Sequence, residues 1–346
     1  METLTFTCKI ITPMFLAGAD GKTPELRAAS IKGALRFWWR AVQREADPKA
    51  LKAKEDAIFG GVGNGKEGKA QRSKVLLQVV PAIGCKPGDE TSKGLPDHQV
   101  RTRHNGDDKR FINILDYLAY GVSNRGRVIR PYFKPGATFQ LILRLHPTIS
   151  SKAKGEITLA LVLLGKYGGL GSKSRNGFGS FSVSYDGEAT WCRNLFSEGV
   201  SDLAKGSRVN YTAFSKDAKL YETKLHPTWD AALAEVGAAY RGEYPAVGKM
   251  KGEKGRLGLD ELHKGYQRKY IAMPLNNAAT HSKNDVHDRR PKSLFLGVSE
   301  AGRQYKGHIL YLPDTYQHNG TSQQAKHDKA YAELMKNFSS LTQVSL

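Results

Sequence analysis

The chain has 346 residues, 40% of them hydrophobic, enough for a real core and, at roughly 150 residues per domain, for two domains. Lysine and arginine (53) outnumber aspartate and glutamate (33), and the resulting charge of +20 favours a polyanionic partner, either nucleic acid or an anionic membrane surface. The composition excludes three classes: no run of about 18 apolar residues spans a bilayer, the N-terminal Met-Glu-Thr-Leu-Thr-Phe carries no signal-peptide pattern, and Cys8, Cys85 and Cys192 form neither a disulfide framework nor a zinc pair. A cytoplasmic protein is expected.

Leu4 to Thr12 alternates, with Leu4, Phe6, Cys8 and Ile10 on one face and Thr3, Thr5, Thr7 and Lys9 on the other, which is a half-buried strand ended by Pro13. Gly21-Lys22-Thr23 is similar to the tail of a P-loop, but Leu16 stands where the first glycine is required, so nucleotide hydrolysis is excluded. Ser30 is the expected N-cap of a helix to about Glu45. Ile31, Ala34, Leu35, Trp38 and Val42 form its core face. Lys32, Arg36, Arg40 and Arg44 make a stripe at i+4 steps, a repulsion of roughly 0.2–0.5 kcal/mol per pair that an anionic partner would remove. Trp39, on the border of stripe and core face, is placed to stack on a base.

Gly60 to Gly68 contains a G-x-G-x-x-G match, but a strand over Val75–Val80 follows rather than a helix, so it is a loop. Residues 81–110 are polar and read as an insertion containing His98 and His104, candidates for acid and base in RNA cleavage but without supporting spacing. Phe111 to Tyr120 reads as a helix, Asn124 to Arg130 as a basic turn, Ala137 to Leu145 as a strand and Glu156 to Gly165 as an apolar helix. The glycine-rich stretch Gly165–Ser180 follows, with Lys173 and Arg175 between its glycines, and a strand comes after it. Glycines let backbone approach closely, and such loops form anion-binding nests. The first half therefore has the order of a ferredoxin-like βαββαβ unit with an insertion.

A boundary is expected in the weakly patterned stretch after Gly187, giving domains over 1–190 and 191–346. The second half offers strands at Ala218–Thr223, Tyr270–Leu275, Ser293–Val298 and His308–Leu312, helices at Thr228–Arg241 and Gln323–Leu341, and a basic loop at Lys249–Lys254. A second, less regular α+β unit is expected. His281 to Asp288 has metal-compatible residue types at a spacing that fits no zinc pattern, so no metal or other cofactor is expected.

The loop pattern Gly169-x-Gly171-x-Lys173-x-x-x-Gly177-x-Gly179 resembles the signature loop of the RAMP superfamily of CRISPR RNA-guided defence complexes. The N-terminal stretches Ile11–Asp20, Pro24–Arg27 and Ser30–Arg40 resemble the first-subunit family of the type III-B (Cmr) complex, with one departure, Ala29 in place of proline. Together they cover about residues 1–185. The resemblance implies two ferredoxin-like RAMP domains in a non-catalytic RNA-binding subunit. Its implied partners are guide RNA near the 3′ end, neighbouring RAMP subunits and target RNA passing close by. It assigns Gly169, Gly171, Lys173, Gly177 and Gly179 to the RNA backbone, with Arg175 beside them. Lys32, Arg36, Trp39 and Arg40 of the helix, and Arg27 before it, are the further RNA positions. The rival readings are a metal-independent endonuclease using His98 or His104, and a scaffold whose charge docks proteins.

Overall fold

The computed structural model describes the chain except for residues 63–69, 83–86, 89–92, 105–106, 125, 198–201, 243, 246–269, 272–290, 316 and 319–320. The loop at Lys249–Lys254, the cluster from His281 to Asp288, most of the glycine run after Gly60 and Cys85 lie outside the described residues. So does most of the expected strand from Tyr270, whose first two residues form a helical turn instead.

The first sheet is built from strands β1 (Glu2–Ile10), β2 (Val75–Pro81), β5 (Thr138–Leu145) and β6 (Phe181–Ser184). Between β1 and β2 come helices α1 (Ala28–Ala41) and α2 (Pro48–Phe59). Residues 82–137 insert the hairpin β3 (Gln99–His104) and β4 (Asp107–Asn113), and the short helix α3 (Ile114–Leu118). Helix α4 (Ser151–Tyr167) then leads through the glycine loop to β6. The sheet is antiparallel in the order β6-β1-β5-β2. Leu4, Phe6, Cys8 and Ile10 of β1 are buried against α1 and α4, while Thr3, Thr5 and Thr7 face solvent. Burial pushes the thiols of Cys8 and Cys192 up to about 12, so both are inert packing groups.

The second half repeats this order. After helix α5 (Thr190–Ser197) come β7 (Lys219–His226), α6 (Trp229–Arg241), the hairpin β8 (Leu294–Ala301) and β9 (Gln304–Tyr311), α7 (Gln324–Met335) and β10 (Thr342–Val344). Its antiparallel sheet runs β8-β9-β7-β10. Thr228 caps α6 by accepting from the Ala231 N–H, and Gly242, in the left-handed region at φ 78°, ends it.

The layers interlock. Residues of one face of the second sheet, Leu220, Phe295, Leu310 and Leu312, join the core formed by the first sheet, α1 and α4. Residues of the other face, Tyr221, Leu294, Leu296, Val298, Ile309 and Tyr311, join α3, α6 and α7. Phe295 packs at 5.6 Å from Phe37 and 5.3 Å from Trp38, and Tyr167 meets His308 at 5.6 Å (ring centroids). The molecule is thus sheet, helices, sheet, helices, with α1 and α4 as a shared middle layer. Each buried leucine or phenylalanine there contributes about 1.5–3 kcal/mol. This explains why Ile157 to Leu164 is apolar: a helix covered on both sides needs an apolar surface on both.

Three local expectations are corrected. Helix α1 starts at Ala28 after Arg27, so Ser30 lies inside its first turn, and it ends at Ala41 rather than Glu45. Phe111 belongs to β4, and the helix begins at Ile114, capped by the Asn113 side chain accepting from the Leu115 N–H. The weakly patterned stretch after Gly187 holds helix α5, which was not expected. Among the described residues no helix is long and apolar enough to cross a membrane.

Candidate nucleic-acid interface

The stripe on α1 is not free charge. Lys32 donates to Ser73 Oγ at 2.5 Å and to the Val75 carbonyl at 2.9 Å. Burial lowers its pKa, with the Arg36 charge adding to the effect. Arg36 and Arg40 both donate to Glu55 of α2 at 2.6 Å, and Glu55 is only 3% exposed. Asp56 sits 3.9 Å from Arg36. Arg44 donates to the Asp202 carbonyl. A second helix therefore supplies the anion that the stripe calls for. Trp39 is fully buried at 1% exposure and packs on Phe59 of α2 at 5.8 Å, which corrects its placement as a stacking platform. At 100° per residue it sat on the boundary of the core face, and α2 moves that boundary outwards. Arg27 stands before α1, half-buried, with Glu25 at 3.8 Å.

The glycine loop is a joint between the halves. Gly171, Gly177 and Gly179 have φ of 87°, 91° and 70°. A Cβ would lie 2.5 Å from the Phe15 carbonyl oxygen at Gly171, 2.2 Å from Leu233 of α6 at Gly177 and 1.9 Å from the Leu170 carbonyl oxygen at Gly179. At Gly169 the nearest atom would be the Phe178 carbonyl oxygen at 3.1 Å. The close approach that these glycines permit is to the protein's own atoms. The loop also caps the edge of β8: the Leu296 N–H donates to the Arg175 carbonyl at 3.3 Å and the Val298 N–H to Ser180 Oγ at 3.2 Å.

The two cations of the loop divide. Arg175 points inwards, its guanidinium 5.1 Å from the Phe37 ring and 4.5 Å from that of Phe295, and it donates to the Lys292 carbonyl. Burial brings its pKa down to about 10, so it stays charged at neutral pH. It ties the loop to β8, a role that its position between glycines did not signal. Lys173 is the one non-glycine residue with positive φ (64°) among those described, and its Nζ lies beside Gly121. Burial lowers its pKa, and the nearby charge of Arg130 lowers it further. Among the described residues no carboxylate reaches Lys173 within 4 Å. Asn176 holds the turn in place by donating to the Leu118 carbonyl at 2.8 Å.

A third cation completes the cluster, and sequence reasoning missed it. Lys292, just before β8, is buried, its Nζ without a hydrogen-bond acceptor among the described residues and 4.1 Å from the centre of the Tyr240 ring. Burial drives its pKa well down, and the charges of Arg175 and Lys173 drive it further. Its only sequence signal is its place at the head of an apolar strand.

Of the two candidate histidines, the structure describes the side chain of His98. His98 Nε2 is 2.7 Å from Asp230 in the first turn of α6, which fastens the insertion to the second half. This bond is the chief reason that the Asp230 carboxyl lies below its ordinary pKa. The side chain of His104 lies outside the described residues. Among the described residues no group of three His, Cys, Asp or Glu side chains could hold a metal ion.

Known proteins supply the context for this geometry. Cmr subunit Cmr1-2 of the CRISPR system of Pyrococcus furiosus is 28% identical over 197 residues, 51% of this chain and 93% of that protein. Cmr1-1 of the same organism is 29% identical over 163 residues, 46% of this chain and 41% of that protein. Among solved structures, apo Cmr1 from Pyrococcus furiosus matches with a TM-score of 0.57 and 20% identity, covering 99% of this chain and 98% of that one. A chain from the type III-B Cmr-beta complex bound to cognate target RNA matches with a TM-score of 0.50 and 12% identity, over 98% and 100%. These two likenesses show a shared fold. The family model of the RAMP superfamily matches residues 7–182, from within β1 to within β6 and over half of the sequence, and the chain belongs to that superfamily.

Proposed function

We propose that this chain is a non-catalytic RNA-binding subunit of a type III-B CRISPR effector complex. It holds the guide RNA near its 3′ end beside neighbouring RAMP subunits, with target RNA within reach. The observation that carries the reading is Lys173, held by the family's glycine loop at positive φ, beside Arg130 and without a carboxylate partner among the described residues. Unneutralised, half-buried charge of this kind suits a phosphate backbone, whose contacts set affinity and position without reading sequence. The sequence likeness to the Cmr1 subunits of Pyrococcus furiosus supplies the assembly. A clamp of cations and backbone positions RNA and contributes no acid, base or nucleophile.

The test is binding of the full chain to single-stranded RNA over a salt series. Lys173→Ala with Arg130→Ala should weaken binding about 10-fold and flatten the salt slope by about 0.7 per cation removed. Unchanged affinity and slope would overturn the assignment. Intact RNA is expected after incubation with wild type and with His98→Ala, whereas cleavage that depends on His98 would make this an endonuclease. In the assembled complex, cross-links from the glycine loop should fall near the 3′ end of the guide, and cross-links confined to its 5′ end would contradict the proposed orientation.

A further inference from the structure

We propose that Lys292 is the buried floor of a phosphate pocket, in which one RNA backbone phosphodiester lies between the glycine loop and the head of β8, held by Lys292 below and Lys173 above. The inference rests on the RNA-binding reading and adds a residue from the second half that no glycine-loop motif contains. Three observations converge on it. Lys292 is 6% exposed, and its Nζ is buried with no hydrogen-bond acceptor among the described residues. Its near neighbours are two more cations, Lys173 and Arg175, and the face of Tyr240, a ring that favours a cation but accepts no proper hydrogen bond. Its backbone is fixed: the Lys292 carbonyl accepts from Arg175, and the next residue, Ser293, donates its N–H to Tyr331 at 2.7 Å. A buried, unpaired ammonium next to like charges is unfavourable unless an anion joins it. Arg175 is already occupied by its two rings and the carbonyl, so the anion's oxygens fall to Lys292 and Lys173.

The chemistry asks for a compact anion with several acceptor oxygens. Inorganic phosphate shares that chemistry with an RNA phosphodiester, and the experiment separates them. Lys292→Met, Lys292→Arg and Lys173→Ala are made in the full chain. Thermal midpoints and affinity for single-stranded RNA are measured across salt, with inorganic phosphate as a separate ligand. Without ligand, Lys292→Met should melt at or above the wild-type temperature, because a buried amine with no hydrogen-bond acceptor among the described residues is gone. It should bind RNA about 10-fold more weakly with a salt slope lower by about 0.7, and Lys292→Arg should recover part of both. RNA should raise the wild-type midpoint more than that of Lys292→Met. If Lys173→Ala loses RNA while Lys292→Met binds with wild-type affinity and slope, the pocket is wrong and the RNA-binding reading stands. If neither variant moves RNA binding, both fall. Stabilisation of wild type by inorganic phosphate equal to that by RNA, and absent in Lys292→Met, would overturn the assignment to RNA. Should Lys292→Met fail to fold, Lys292→Gln is judged by the same criteria.

Discussion

Helix α1 and the glycine loop carry cations in comparable density, and the fold treats them in opposite ways. On α1, Arg36 and Arg40 share the buried carboxylate of Glu55, and Lys32 is spent on a hydroxyl and a carbonyl. At the loop, Lys173 has no carboxylate among the described residues, and the Lys292 Nζ, which feels its charge, has no hydrogen-bond acceptor among them either. A run of positive charge in a sequence thus does not locate a nucleic-acid surface. Under the proposed function, the positive charge left over after the chain's own acids have been matched is what would locate it.

The largest effect is expected at the loop. Gly179→Ala must place a Cβ at 1.9 Å from the Leu170 carbonyl oxygen with φ at 70°, and the strain and overpacking should destabilise the protein by about 4 kcal/mol, read as a lower denaturation midpoint. If stability were unchanged, the glycines would serve a ligand rather than the joint. His308 shows a third fate of a buried base, loss of its proton. Its folded pKa lies at about 4, chiefly through burial, against 6.5 unperturbed. The unfolded chain therefore binds more protons between those values, and stability should fall as pH drops from about 6.5 to about 4. The total is about 3 kcal/mol at 1.36 kcal/mol per unit. His308→Gln should remove that slope in acid melts, and an unchanged slope would assign it to other groups.

Glu55→Gln should cost about 2 kcal/mol, below the 3–5 kcal/mol range for fully buried pairs because Arg36 and Arg40 are about a third exposed. Its RNA affinity should be no lower than that of wild type, since two guanidinium groups are released. The smallest effect expected is that of Arg36→Gln on RNA binding, within 2-fold, beside the larger loss from Lys173→Ala. A loss from Arg36→Gln equal to that from Lys173→Ala would erase the distinction between the two regions.

Much of the fold was legible because its burial leaves simple patterns. Alternation at Leu4, Phe6, Cys8 and Ile10 marks a sheet with one open face, and the unbroken runs at Leu294–Val298 and Ile309–Leu312 mark strands covered on both sides. The site was less legible, and one omission accounts for much of that. Asp47-Pro48 is a helix start, with Asp47 accepting from the N–H groups of Lys49 and Ala50, but the charged residues after it hide a narrow apolar stripe of Leu51, Ile58 and Phe59. Without α2, Glu55 has no position, the α1 stripe looks unpaired and Trp39 looks exposed. Lys292 is a different case, since its neighbours Lys173, Arg175 and Tyr240 are brought together only by the contact between the halves.

The shared middle layer bears on how the protein can be made. When the first half leaves the ribosome, α1 and α4 can close on the first sheet, yet Phe37, Trp38 and Tyr167 stay bare until β8 and β9 have been synthesised. For that interval the nascent chain shows an aromatic face with no cover, and its escape from aggregation depends on translation speed, chaperones or an early-arriving partner.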